Sequence, residues 1–202
     1  MKSFKSYRDA GWAQLDGNWG LSVVFTLVYM LVAIALSGLE SCIWEGSIIT
    51  TILVIPLAYS YNIAFLDKKR TGEALCIEKL FVGYKDFLRI AGTGLLMYIY
   101  VFLWALLLVI PGIIKQISYS QTCYILKDNP EISFNAAIER SMAMMKGHKW
   151  EYFCLVLSFI GWILLVIITL GIAALWVTPY MSATFAGYYE DLKTEFEQIK
   201  KQ

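Results

Sequence analysis

Histidine is nearly absent from this chain, and charge is scarce. His148 stands alone among 202 residues, and Asp, Glu, Lys and Arg make up 16% where a soluble domain carries about a quarter. One imidazole leaves no His–carboxylate pair for hydrolysis and no ligand set for a transition metal. The four cysteines, Cys42, Cys76, Cys123 and Cys154, include no close pair. That spacing suits neither a disulfide framework nor a zinc site, and buried apolar thiols are expected. A net charge of only +1 offers nucleic acid no basic field. Neither a phosphate-binding glycine loop, a nucleophile elbow nor an HExxH helix is present. The expectation is a non-enzyme with no catalytic residue, no cofactor and no metal.

Apolar residues are what the chain has in quantity: 58% of the sequence, with a mean hydropathy of +0.59. Apolar runs of about 18 or more residues recur, each long enough to cross a bilayer as a helix. The fold class expected is all-α, a polytopic membrane bundle formed as one integral membrane domain. The spans are placed at about 20–37, 47–66, 90–110, 113–126, 152–168 and 172–189. Ala33-Ile34-Ala35 resembles a signal-peptide cleavage site, but the mixed-charge, aromatic segment before the first run is unlike a short basic leader. A retained span is therefore expected.

Between the spans lie amphipathic stretches. Residues 2–16 put Phe4, Tyr7, Gly11 and Leu15 on one face. Residues 74–87 carry an apolar stripe through Ile77, Leu80, Phe81 and Tyr84 that continues to Leu88. Residues 133–146 place Phe134, Ala137, Ile138, Met142 and Met145 opposite Asn135, Glu139, Arg140 and Lys146. All three read as interfacial helices. Pro111-Gly112 reads as a turn, Pro56 as a proline within span two, and Glu40 and Glu45 mark a short acidic loop. Lysine and arginine fall before span one, after spans two and four, and in the tail, apart from Lys115. Six spans as three hairpins, with both termini and the interfacial helices cytoplasmic, put nearly all positive charge inside.

A faint repeat runs through the second helix of each hairpin. Aligning Ser60, Ser120 and Ser182 aligns Asn62, Thr122 and Thr184, with Asp67, Asp128 and Asp191 shortly beyond. These polar helices are expected to face one another, since lipid cannot satisfy their hydroxyls and amides. Carboxylates sit only at span ends, which argues against an ion-coupled pump.

Seven residues stand out as candidate lipid or anion contacts: Lys115, Ser118, Thr122, Lys146, His148, Lys149 and Trp150. Lys115 shares a stripe with Ser118 and Thr122. It either holds an anion or lipid headgroup between helices or snorkels to water. Lys146, His148, Lys149 and Trp150 form a basic–aromatic cluster suited to anionic headgroups and interfacial anchoring. The expected partners are membrane lipids, with a protein partner or a second copy also open, and no nucleic acid. The function expected is partner- or lipid-binding and organising; the alternative is a small-solute permease or conduit lined by spans two, four and six.

The motifs LxGNWG at Leu15–Gly20, IPGIIKxxSYS at Ile110–Ser120, YILxDNPxIS at Tyr124–Ser133 and MKGHKW at Met145–Trp150 occur together here. LSFIGWxLL, TLGI and LWxxPY follow, up to Tyr180. In these motifs the chain resembles an uncharacterised bacterial membrane family, domain of unknown function 975. The resemblance implies a multi-pass protein of the bacterial cytoplasmic membrane and supplies no substrate, reaction or catalytic residue.

Overall fold

The computed structural model describes residues 2–38 and 46–200. Glu40, Glu45, Cys42 and the acidic loop expected between the first two spans lie outside the described residues. Those described form helices and connections, with no strand among them. The α-helices are α1 (Phe4–Leu15), α2 (Trp19–Gly38), α3 (Gly46–Thr71), α4 (Phe87–Leu107), α5 (Val109–Tyr119), α6 (Thr122–Asp128), α7 (Phe134–Met144), α8 (Lys149–Leu157), α9 (Ile160–Ile168) and α10 (Ala174–Lys200). A 3-10 helix, Ile77–Asp86, precedes α4.

Among the described residues four stretches of helix, not six, are long and apolar enough to cross a membrane: Trp19–Gly38, Ile49–Thr71, Ile77–Leu106 and Lys149–Ile168. The two expected spans that fail do so for different reasons. The stretch assigned to span four is broken at Ser120-Gln121. Its longer piece, α5, has 11 residues and so reaches about 16 Å, against about 30 Å of hydrocarbon. α10, assigned to span six, is long enough but polar, because it runs through the middle of the bundle. Val177, Tyr180, Ala183, Ala186, Tyr188, Tyr189 and Leu192 are all buried along it. A helix surrounded by others need not present an apolar face to lipid.

α3 and α10 form the centre and run parallel. Arg70 reaches Glu190 and Ser182 reaches Asn62, each across 120 positions. α2 packs on α3 through stacked Phe25 and Tyr61 rings, and the Thr26 and Tyr61 hydroxyls share a 2.8 Å hydrogen bond. α1 docks along α10 rather than standing apart from the bundle. Tyr7, Gly11 and Leu15, three of the four residues on its expected apolar face, are buried, and the Tyr7 and Tyr188 rings lie 5.4 Å apart. Gly11 abuts Thr184 so closely that any Cβ would collide with its side chain.

The segment expected as an amphipathic α-helix before α4 is wound as a 3-10 helix. With three residues per turn, positions three apart align, and Leu80 and Gly83 are its buried residues. Ile77, Phe81 and Leu88 of the expected stripe stay exposed. A Cβ on Gly83 would lie 2.5 Å from the Pro56 carbonyl oxygen. Its N–H donates to Ser60 Oγ at 2.7 Å, while Tyr84 donates to the Leu53 carbonyl at 2.8 Å. The 3-10 helix thus lies on the turn of α3 whose backbone ladder Pro56 interrupts.

The turn expected at Pro111-Gly112 falls three residues earlier, at extended Leu108. Pro111 occupies the first turn of α5, where no N–H partner is required of it. Gly112 supplies the close α4–α5 contact: its Cβ would come within 3.0 Å of Ala105 Cβ. The α9–α10 turn uses Gly171 at φ 93 and, unusually, Leu170 at φ 51.

Candidate functional site

Three features gather the polar chemistry of the bundle. The first is an ion-pair clamp where α1, α3, α6 and α10 meet. Asp128 receives two hydrogen bonds from the Arg70 guanidinium, at 2.6 and 3.0 Å. It takes a third from the Tyr189 hydroxyl at 2.7 Å and a fourth from Lys193 at 2.8 Å. Arg70 also pairs with Glu190 at 2.6 Å, Lys127 with Asp67 at 2.9 Å and Lys2 with Asp191 at 3.0 Å. All three acidic residues of the sequence repeat are therefore paired, and every charge in the clamp has an opposite partner. Burial of Asp128 favours its neutral form, but the bonds from Arg70, Lys193 and Tyr189 outweigh it and hold the carboxyl well below the usual carboxylate range. A carboxylate so held neither gives nor takes a proton near neutrality.

The second feature is the basic–aromatic cluster after α7, at the same end of the bundle. The His148 carbonyl accepts a hydrogen bond from Tyr188, two residues from Glu190. The His148 ring lies between Glu151, at 3.1 Å from Nδ1, and Glu195, at 3.5 Å from Nε2, so the His–carboxylate pair that a lone histidine was expected to exclude is present, formed by helices α8 and α10 folding together. Lys146 and Lys149 have no carboxylate partner among the described residues. Trp150 is 72% exposed, its ring tilted 33° against that of Phe153 at 5.5 Å. In α7 itself the buried residues are Ala137, Ile138, Ser141 and Met144. Phe134 stays exposed, and Met142 turns toward Lys115.

Lys115, Ser118 and Thr122 occupy one stretch but separate environments. The half-buried Lys115 ammonium lies 4.7 Å from the centre of the Trp104 ring and 3.9 Å from Met142 Sδ. Both contacts suit a cation without a carboxylate. Ser118 is buried; its hydroxyl donates to the Ile114 carbonyl and its own carbonyl accepts from Ser141. Thr122 is fully buried and its hydroxyl has no hydrogen-bond partner.

The third feature is a cavity of about 550 Å³ enclosed by α3, α4, α5 and α6, with Ser37 of α2 at its edge. Tyr59, Asn62, Thr93, Ser120 and Thr122 lie toward the clamp; Ser37, Thr50, Thr51, Tyr98 and Gln116 lie toward the far end. Polar residues of α3 and α5–α6 do converge here, but the remaining wall is α4, not α10. Ser182 is instead bonded to Asn62, and Thr184 is packed on Gly11. A separate apolar groove of about 430 Å³ is lined by Trp12, Trp19, Trp162, Trp176 and Tyr180.

Sequence reasoning singled out neither the Asp128 clamp nor the α4 wall of the cavity. The repeated acidic positions were a signal for the clamp. Thr93, a single hydroxyl in an apolar run, gave none.

Residues 105–195 match the family described as a protein of unknown function, DUF975. The motifs from Ile110 onward fall within that match, whereas LxGNWG lies outside it. No curated protein and no solved structure matches the chain.

Proposed function

We propose, since the matching family supplies no activity, that this is a non-enzymatic membrane protein that binds anionic lipid headgroups at its basic–aromatic collar. The observation that carries this reading is a division among the cations at one end of the bundle. Lys2, Arg70, Lys127 and Lys193 are consumed by carboxylates. Lys146 and Lys149, which precede the exposed Trp150 in the chain, have no carboxylate partner among the described residues; Lys68 and Lys69 have none either, but adjoin no indole in the chain. A free lysine pair beside an indole matches the interface of an anionic leaflet, where each lysine near the surface is worth about 1 kcal/mol. On this reading the collar faces the cytoplasm of a bacterial cell and both termini lie with it.

The test is lipid retention. The full chain and a Lys146→Gln/Lys149→Gln variant are purified in mild detergent and bound lipid is identified by mass spectrometry. The wild type is expected to retain phosphatidylglycerol over phosphatidylcholine, with retention falling at high salt. The variant, lacking two such lysines, should lose about thirtyfold of that preference. Equal retention by both proteins refutes the collar as the binding surface.

The conduit reading draws on the cavity. Its clamp end is shut by Ile90, Tyr59 and Leu126, all buried, so passage requires these three to part. Water-accessible labelling of cysteines at Ser118 and Thr122 favours a conduit, and protection favours a packed binding protein.

A further inference from the structure

α1 carries a cation into the depth of the bundle. It runs antiparallel along α10: Lys2 pairs with Asp191, the Tyr7 ring meets Tyr188 and Gly11 abuts Thr184. Arg8 then reaches α8 and α10 together. Its Nη1 donates to the Ser158 carbonyl at 3.2 Å and its Nε to the Tyr180 hydroxyl at 3.4 Å. The guanidinium carbon lies 5.8 Å from the centre of the Phe159 ring. Ser158 belongs to the apolar stretch Lys149–Ile168, about 14 Å beyond Lys149 at helical rise.

Those two bonds leave the guanidinium half used. Of its five N–H donors, both on Nη2 and one on Nη1 have no acceptor, and no carboxylate pairs with Arg8 among the described residues. Nη2 is also open to the outside. The residue is half-buried, and the described buried side-chain atoms without a partner are Gln121 Oε1 and Thr122 Oγ1 alone. An arginine at that depth with no counter-ion is costly and marks a functional site.

The tryptophan groove starts from the same contact. Tyr180 gives its ring to the groove wall and its hydroxyl to Arg8. Trp12, one helical turn after Arg8, packs edge-on to that ring at 5.5 Å. The lining continues over Trp162 and Leu165 of α9 to Trp176 and Ala173, and every residue of it is described. Trp12, Leu165 and Trp176 are themselves exposed, so the walls open on the surface that lipid covers. None of the lining residues is charged. A single cation therefore stands beside an apolar trough, and its planar fork matches one carboxylate. The order is that of a lipid in the collar-side leaflet, with charge nearer the collar and chain running away from it.

We propose that Arg8 and this groove bind a long-chain fatty acid taken from the bilayer, its carboxylate on the guanidinium and its chain along Trp12, Trp162 and Trp176. The volume of about 430 Å³ lies within the usual range for small-ligand sites. The site is separate from the Lys146–Lys149 collar, and neither reading needs the other.

The test uses tryptophan fluorescence, since four indoles line the groove. The full chain in phosphatidylcholine nanodiscs is titrated with 9,10-dibromostearate and, separately, with its methyl ester. Titration at about pH 9 keeps a carboxyl in lipid ionised. Bromine quenches indoles only near contact. Saturable quenching by the acid is expected at about tenfold lower mole fraction than by the ester. Arg8→Gln is expected to erase that difference while ester quenching persists, which shows the groove still formed. Lys146→Gln/Lys149→Gln is expected to keep the difference. If Arg8→Gln does not fold, Ala173→Phe, which fills the groove from α10, replaces it and is expected to abolish the saturable phase. Equal quenching by acid and ester in the wild type overturns the proposal. So does an acid advantage that survives Arg8→Gln or Ala173→Phe, or one lost with the collar lysines, which would assign the carboxylate to them.

Discussion

Asp128 links three helices through one carboxylate. Its side chain is 9% exposed, and it takes bonds from α3 through Arg70 and from α10 through Tyr189 and Lys193. Removing it leaves two cations and a phenol at a buried site, although Arg70 keeps Glu190. Loss of one partner from a buried pair typically costs about 3–5 kcal/mol, and the retained Glu190 contact places Asp128→Ala near about 3 kcal/mol. The direction with pH follows from the depressed carboxyl pKa. A group held below its unfolded value of about 3.9 stabilises fully above that value, and the contribution is lost as pH falls through the folded value. Thermal melts in detergent should therefore show the wild type losing stability below about pH 4. Asp128→Asn should melt lower at neutral pH with a flatter acid limb. Parallel acid limbs in the two proteins would show that Asp128 is not the linked group.

The hairpin tips set a constraint of their own. At the α4–α5 turn Leu106, Leu108, Val109 and Ile110 are exposed, and at the α9–α10 turn Ile167, Ile168, Leu170 and Ile172. Neither tip carries a charge, and Leu170, at 94% exposure, also adopts φ 51, which costs a non-glycine residue of order 1 kcal/mol or more. Side chains of this kind do not stay in water when hydrocarbon is within reach. A nitrobenzoxadiazole fluorophore on a cysteine at Leu108 or Leu170 is expected to emit in the blue-shifted range of the membrane interior or interface. Emission matching a water-exposed control at Glu73 would place the tips outside the bilayer.

What the sequence disclosed at this scale follows its physical causes. Helices that face lipid announce themselves by hydropathy, so α2, α3, α4 and α8–α9 were legible. α10 was legible as a helix, but its environment was not: Tyr188, Ser182 and Thr184 face protein, and a one-dimensional window cannot tell a central helix from a weak span. The break at Ser120-Gln121 contains neither proline nor glycine and left no turn signal. The 3-10 winding of Ile77–Asp86 depends on Gly83 meeting Ser60 across 23 positions, information no local period contains. The cavity was illegible for the same reason, since its walls come from four successive helices and no local period records which of their faces meet.

For the whole molecule, the decisive question is whether the charged segments share one side of the bilayer. Lys2 pairs with Asp191, Arg70 with Glu190, and Tyr188 holds the His148 carbonyl. Positions 188 to 191 of α10 span about 5 Å of helix, whereas the hydrocarbon core is about 30 Å thick. The N-terminal segment, the end of α3 and the Lys146–Lys149 cluster are therefore fixed at one level, and no tilt of the bundle can place the bilayer between them. Single cysteines at Glu73 and Lys146, in a chain whose native cysteines are serine, should react with a membrane-impermeant maleimide in the same vesicle orientation. Labelling of one in right-side-out vesicles and the other only in inverted vesicles would separate Arg70 from His148. The clamp, the collar and the lipid reading built on them would then fail together.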